Sequence, residues 1–278
     1  MNSAGTESAL GGSPPNARYF ATWRNRVFAA GNVTFPNRIY VSALNNEEDW
    51  TTAGDAVTID LDKDSGDVIT GIIPQGNRLL VFKNASIYAV YFNSPQQTSV
   101  DPVTTKHGTI SGRSLVDVDG VILFLHGGGA WSRGVYALDQ NNGIKLLSEP
   151  ITPTLEESAS TSLQTACAAF YKNSYMLCVD NGGSGDNNVL YKLNLRTGAW
   201  GYDTGIPCNS IYADTRLGTQ RLLGGHATLG TIMVLDSGTD DNTAAISFAW
   251  RGKHFSFGKP ENRKAALDIH IMGKKQAG

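Results

Sequence analysis

Asn77-Arg78-Leu79-Leu80-Val81-Phe82, followed a few residues later by Ser86-Ile87-Tyr88-Ala89-Val90-Tyr91, decides the fold of this chain. The first run is apolar at successive positions after a turn, and the second repeats the pattern around an Ile-Tyr pair. Short apolar runs rich in branched and aromatic residues read as strands covered on both faces. The unit then recurs. Asn25-Arg26-Val27-Phe28-Ala29-Ala30 leads to Asn37-Arg38-Ile39-Tyr40-Val41, and Asp119-Gly120-Val121-Ile122-Leu123-Phe124 leads to Gly134-Val135-Tyr136-Ala137-Leu138. Asn173-Ser174-Tyr175-Met176-Leu177-Cys178 leads to Val189-Leu190-Tyr191-Lys192-Leu193. A weaker copy joins Gln220-Arg221-Leu222-Leu223-Gly224-Gly225 to Thr231-Ile232-Met233-Val234-Leu235. The first turns start at 25, 77, 119, 173 and 220, spaced by 52, 42, 54 and 47 residues. Periods of about 40–50 residues are those of propeller blades.

Each copy is preceded by a further strand pattern: Tyr19 to Trp23, Val68 to Ile73, Ser114 to Val118, Thr165 to Phe170 and Ser210 to Ala213. A more variable outer strand follows at Val57 to Leu61, near Val103 to Ile110, at Ile144 to Leu147, at Trp200 to Tyr202 and at Ile246 to Trp250. Four antiparallel strands per repeat make one blade. The expected fold is therefore an all-β β-propeller with five repeats visible, making five blades, or six if the chain ends complete another. Met1 to Pro15 is small, polar and rich in Gly, Ser and Pro. Residues 1–16 are expected to form a flexible arm and 17–262 the propeller, with 263–278 a closing strand or the start of a further C-terminal module. Helical signal is confined to Thr154 to Ser160, where Thr154-Leu155-Glu156-Glu157 opens with a capping residue and early carboxylates.

Composition narrows the function classes. The net charge is −2 and the basic clusters (Arg18/Arg24/Arg26 and Lys274-Lys275) are short, which disfavours a strong sequence-independent grip on nucleic acid. No apolar stretch approaches the roughly 18 residues needed to span a bilayer. Three cysteines do not make a disulfide framework. Cys167 and Cys178 lie about equally far from the turn at Lys172-Asn173, so they are expected to face each other across a hairpin as buried free thiols.

Several motifs carry potential chemistry. His126-Gly127-Gly128-Gly129-Ala130-Trp131 resembles an esterase oxyanion loop, which requires a nucleophile on a strand-to-helix turn. Its nearest partner, Gly182-Gly183-Ser184-Gly185-Asp186, lacks the final glycine and any helix behind it. Asp60-Leu61-Asp62-Lys63-Asp64-Ser65-Gly66 spaces carboxylates like a calcium loop, but its glycine is one place late and Gly71 stands at the twelfth position. An acidic turn is the simpler expectation. Asp117 and Asp214 are the carboxylates best placed for an acid pair in a central channel, with turn hydrogen bonding the competing role. Trp131 and Trp200 could stack on sugars or simply pack. The sequence thus assigns no catalytic, cofactor-binding or metal-binding residue, and the expectation is a protein that is not an enzyme.

Asp67 to Tyr88, followed by Lys106-His107-Gly108-Thr109-Ile110-Ser111-Gly112-Arg113-Ser114 and the Val118 to Leu125 strand, resembles a blade of tail proteins from short-tailed bacteriophages. Phe35 to Ser42 with Glu48-Asp49-Trp50, and Phe255 to Pro260, extend the likeness over residues 17 to 272. That family comprises tail-nozzle, tail tubular and packaged-DNA stabilisation proteins. The resemblance implies a structural virion subunit made in the host cytoplasm and placed in the phage tail. It implies self-association in a ring, expected to be a hexamer, beneath the portal and adaptor proteins, with double-stranded DNA passing without specific binding. The competing expectations are a carbohydrate- or receptor-binding propeller and, behind it, a propeller glycosidase.

Overall fold

The computed structural model describes residues 12–237 apart from 63, 64, 130 and 217, together with 240–241 and 244–245. Residues through Leu235 form one compact unit, and a second begins at Asp236. Of the second, the description covers a two-residue antiparallel pair, 240–241 with 244–245.

The first unit is all-β apart from short helical turns. Its first sheet holds β1 (Tyr19–Trp23), β2 (Arg26–Ala30), β3 (Arg38–Val41) and β4 (Val57–Asp60). The second holds β5 (Ile69–Gln75), β6 (Arg78–Lys83), β7 (Ile87–Ser94) and β8 (Gln97–Thr104). The third holds β9 (Val116–Val118), β10 (Val121–His126), β11 (Gly134–Leu138) and β12 (Ile144–Leu146). The fourth holds β13 (Cys167–Tyr171), β14 (Ser174–Val179), β15 (Val189–Asn194) and β16 (Trp200–Thr204). The fifth holds β17 (Cys208–Asp214), β18 (Arg221–His226) and β19 (Ile232–Leu235). Within each sheet the strands lie in chain order, which is the up-and-down order of a propeller blade.

The turns explain the register. Arg24-Asn25, Asp119-Gly120 and Lys172-Asn173 each put two successive residues at positive φ. Two-residue hairpin loops need that geometry because it matches the twist of the flanking strands. They fix the pairs Trp23 with Arg26, Val118 with Val121 and Tyr171 with Ser174. The arginine of the recurring Asn-Arg turn is itself buried. Arg78 bonds Gln75 Oε1 and reaches Asn142 Oδ1 (2.6 Å) in the next sheet, while Gln75 donates to Gly120 O at 2.7 Å.

Apolar clusters fill each successive gap. Phe28, Ile39, Val41, Leu79, Val81 and Phe92 join sheets one and two; Leu80, Phe82, Ile87, Ile122, Phe124 and Tyr136 join two and three. Leu123, Leu125, Val135, Tyr175, Leu177 and Tyr191 join three and four; Cys167, Met176, Cys178, Cys208 and Leu222 join four and five. Strands such as β6 are therefore buried at every position, as continuous apolar runs demand. Among the described residues no such cluster joins the fifth sheet to the first. The outer face of the fifth leaves Tyr212, Ile232 and Val234 exposed.

Two expectations need correction. The outer strand of the second repeat is β8 at Gln97–Thr104, not Val103 to Ile110. An outermost strand tolerates the missing donor of Pro102, so proline there is no obstacle. The helical segment runs as α1 (Thr152–Glu157) and α2 (Ser160–Leu163), with no side-chain cap and with Pro153 in the first turn. Proline belongs there because that N–H has no intrahelical partner. The fifth sheet has three strands among the described residues. Its expected outer strand, Ile246 to Trp250, the arm to residue 11 and the segment 263–278 lie outside them.

Candidate functional site

A densely bonded feature is the connector Lys106–Leu115, which runs from β8 to β9. Gly108 lies so close to Lys83 that a Cβ would fall 2.2 Å from the Lys83 carbonyl oxygen, and one on Gly112 would fall 2.2 Å from that of Thr70. Thr109 N donates to Lys83 O at 2.9 Å, and its hydroxyl donates to Leu125 O at 2.9 Å. The Thr70 hydroxyl donates to Thr109 O, Ser111 Oγ to Ala166 O and Tyr175 Oη to Ser114 O, the last at 2.8 Å. A 3-10 turn, Gly112–Ser114, occupies the centre among the first strands of the sheets. From it Arg113 donates to Asn209 O (2.9 Å) and Thr165 O (3.1 Å), tying in the fourth and fifth sheets. The Tyr19 ring of β1 lies against Gly112 as well. The segment that carries the family resemblance is thus the hub on which the sheets are assembled. Its small and hydroxylated residues are what close backbone approach requires.

Asp64 of the acidic turn after β4 lies outside the described residues; the described part of that turn binds the ammonium of Lys83. This fully buried ammonium donates to Leu61 O (3.0 Å), Asp62 O (3.3 Å) and Ser65 Oγ (3.4 Å). Burial holds its pKa below the ordinary lysine value, partly offset by Asp67 and Asp62. Asp60 is engaged by Arg38 through two bonds of 2.7 and 2.9 Å, and Asp62 accepts from Tyr88 Oη. Among the described residues no group of three or more acidic, histidine or cysteine side chains could hold a metal ion.

The described residues of the two glycine motifs are tied down by hydrogen bonds. Asp180 is fully buried and accepts from the Gly183, Ser184 and Gly185 amides and from the Ser184 hydroxyl. Burial would raise its pKa, but these donors outweigh it and hold the carboxyl below its ordinary value. Ser184 is bonded to Asp180 and Asp186 O, and among the described residues it has no imidazole partner and sits on no strand-to-helix elbow. Gly128 and Gly129, both at positive φ, carry the chain past Arg133. Arg133 donates to Gly127 O, Leu155 O and Ser158 O, fastening this loop to α1.

Asp117 and Asp214 stand on different sheets with separate partners. Asp117 is exposed and accepts from Gly120 N at 2.8 Å within its turn. Asp214 is pinned by Arg216 and Arg221, each at 2.9 Å, and its pKa is lowered to about 2, chiefly by the Arg216 side chain. A carboxylate held so far down carries no proton to donate near neutrality. The thiols meet the expectation: Cys167 and Cys178 are register partners, and all three cysteines are free and buried. Cys208 joins them from β17. Cys178 is pushed up by its hydrogen bonds with the Cys167 and Cys208 thiols and by burial. Trp200 packs with its Nε1 on Leu147 O (2.9 Å), and Trp131 stacks on His107 with ring centroids 5.2 Å apart.

One site escaped sequence reasoning. A cleft of about 640 Å³ opens at one end of the first sheet, lined by Trp23, Arg24, Asn25, Asn45, Asn46 and Glu47, among others. The only local signal was asparagines in turns. No helix among the described residues is long and apolar enough to cross a membrane.

No family model and no curated protein matches the chain. Several solved structures are similar to the chain at low identity. The extracellular domain of a one component system from B. thetaiotaomicron is 16% identical (TM-score 0.49), with 82% of this chain and 30% of that one covered. The extracellular domain of a hybrid two component system from the same organism is 12% identical (TM-score 0.48), with 82% and 31% covered. PorZ, a surface component of the type-IX secretion system of Porphyromonas gingivalis, is 15% identical (TM-score 0.42), with 84% and 26% covered. The chain therefore spans about a third or less of the length of these structures.

Proposed function

We propose that this protein is a structural subunit of a short phage tail, of the nozzle or stabilisation type, which self-associates below portal and adaptor proteins and extends and closes the DNA channel. One observation carries the reading. The residues by which the sequence resembles that family, Asp67 to Tyr88 and Lys106 to Ser114, are β5, β6 and the start of β7 in the second sheet, and the central hub, so the resemblance lies in how the fold is built. The described carboxylates that looked catalytic or metal-binding are committed to arginines, backbone amides and a tyrosine, which suits a scaffold. The net charge of −2 suits a wall past which phosphates must slide. Whole-virion proteomics tests the reading, paired with production of particles lacking the protein. The protein should be a stoichiometric tail component, and particles without it should lose packaged DNA. Its absence from virions would refute the proposal.

The cleft beside Trp23 favours a second reading, binding of a neutral carbohydrate, because amide side chains and an aromatic edge suit sugar hydroxyls and faces. Silence on a glycan array, with the purified protein folded, would remove it.

A further inference from the structure

Two histidines hold the connector against the third sheet. His107, on the connector, lies with its ring 5.4 Å from that of His126 at the end of β10, 5.0 Å from Tyr136 on β11 and 5.2 Å from Trp131. His126 is 1% exposed, and its Nδ1 meets the Gly108 backbone, 3.0 Å from O and 3.3 Å from N. His107 Nδ1 and His126 Nε2 are both buried and find no hydrogen-bond partner among the described residues. Buried polar atoms are satisfied in the great majority of cases, so two orphans in adjacent rings need a reason. The charges that act on the pair are cationic: Lys106 from the connector on His107 and Arg133 from the loop on His126. The carboxylate on this side, Glu156 of α1, acts on Tyr136.

We propose that the His107–His126 pair is an acid-sensitive joint: neutral, it packs the connector onto the third sheet, and protonation of either ring releases Lys106–Ile110. A proton on one ring creates a buried cation beside a second imidazole and two basic side chains. Hydration then competes with the aromatic box for that charge. Burial comes first in holding both histidines below their ordinary value, followed for His107 by His126 and Lys106. For His126 it is opposed by the Gly108 bond and aided by Arg133. The sign follows from linkage. Both rings are neutral in both states above the unfolded value of about 6.5, so the joint is intact there. As pH falls below that value the open connector takes up protons that the closed one resists, and closure weakens. Each unit of depression weakens closure about tenfold once pH lies below both values.

The test combines imidazole NMR titration with amide hydrogen exchange of Thr109 and Ile110, corrected for intrinsic rates. The expected result is titration of both rings below about 6.5, with protection at Thr109 and Ile110 falling about tenfold or more between pH 7.5 and 5.5. His107→Phe keeps a ring in the box and removes one proton site, so it should cut that fall several-fold. Unchanged protection in the wild type would overturn the proposal, as would an equal fall in His107→Phe or a pair that shares one proton and titrates above 6.5. If His107→Phe fails to fold, the titration and exchange of the wild type decide alone.

Discussion

Gly108→Ala is the substitution that most sharply probes the hub. A Cβ there would lie 2.2 Å from Lys83 O and 2.6 Å from both Asn84 C and Asn84 O, all of them backbone atoms. An unstrained carbon–oxygen contact is on the order of 3.5 Å, so one segment must retreat by about 1 Å. Retreat breaks or stretches the 2.9 Å bond from Thr109 N to Lys83 O. Overpacking costs about 1–3 kcal/mol and the lost bond about 1 kcal/mol, which together give roughly 2–4 kcal/mol. For a unit of this size that is a drop of about 4–16 °C in Tm. Gly201 provides the control. It lies in β16, where an added methyl would have nothing within 4 Å and where φ is not positive, so Gly201→Ala should leave Tm unchanged or raise it slightly. Calorimetry of the two variants beside the wild type is the assay. Equal shifts in both, or a Gly108→Ala shift under about 2 °C, would refute the close approach on which the hub rests.

Other outcomes follow from the same contacts. Tyr175→Phe removes the donor to the buried Ser114 O and should cost about 1–2 kcal/mol by urea denaturation, with an unchanged m-value. Added calcium at millimolar levels should leave Tm unmoved, because Lys83 already occupies the carbonyls of the acidic turn; a saturable rise would contradict that assignment. Asp214 contributes stability that is present above its unfolded pKa of about 3.9 and lost as pH falls through its folded value of about 2. Asp214→Asn should therefore flatten the stability–pH curve between about pH 4 and 2, and an unaltered slope would show that the arginine pairs do not matter. Asp180→Asn should destabilise the 182–185 loop and raise amide exchange at Gly185, since a neutral amide accepts more weakly than the carboxylate.

The repeats were legible because each strand pair combines an apolar run with a turn that only a few residues can make. Asp119-Gly120 and Lys172-Asn173 fix both hairpin and register locally, so even the facing of Cys167 and Cys178 could be read by counting outward from a turn. The hub segment stood out in the sequence only as part of a resemblance, and its role was hidden because its partners are remote: Arg113 bonds Asn209, 96 residues on. The stretch after β4 was legible as an acidic turn, but not the lysine from the neighbouring sheet that its carbonyls bind. Local spacing describes ligands well and says nothing of who occupies them. The outer strands were read less well. β8 alternates exposed and half-buried residues and contains Asp101-Pro102, and its place is set by pairing with β7. Edge strands are held by their neighbour more than by their own propensity.

The central claim is that this propeller is a subunit of a larger tail assembly, and its mass in solution tests that most directly. Light scattering of the purified full chain, alone and with portal and adaptor proteins, should show a ring or a complex that forms when those partners are present. A lone monomer indifferent to both would contradict the account.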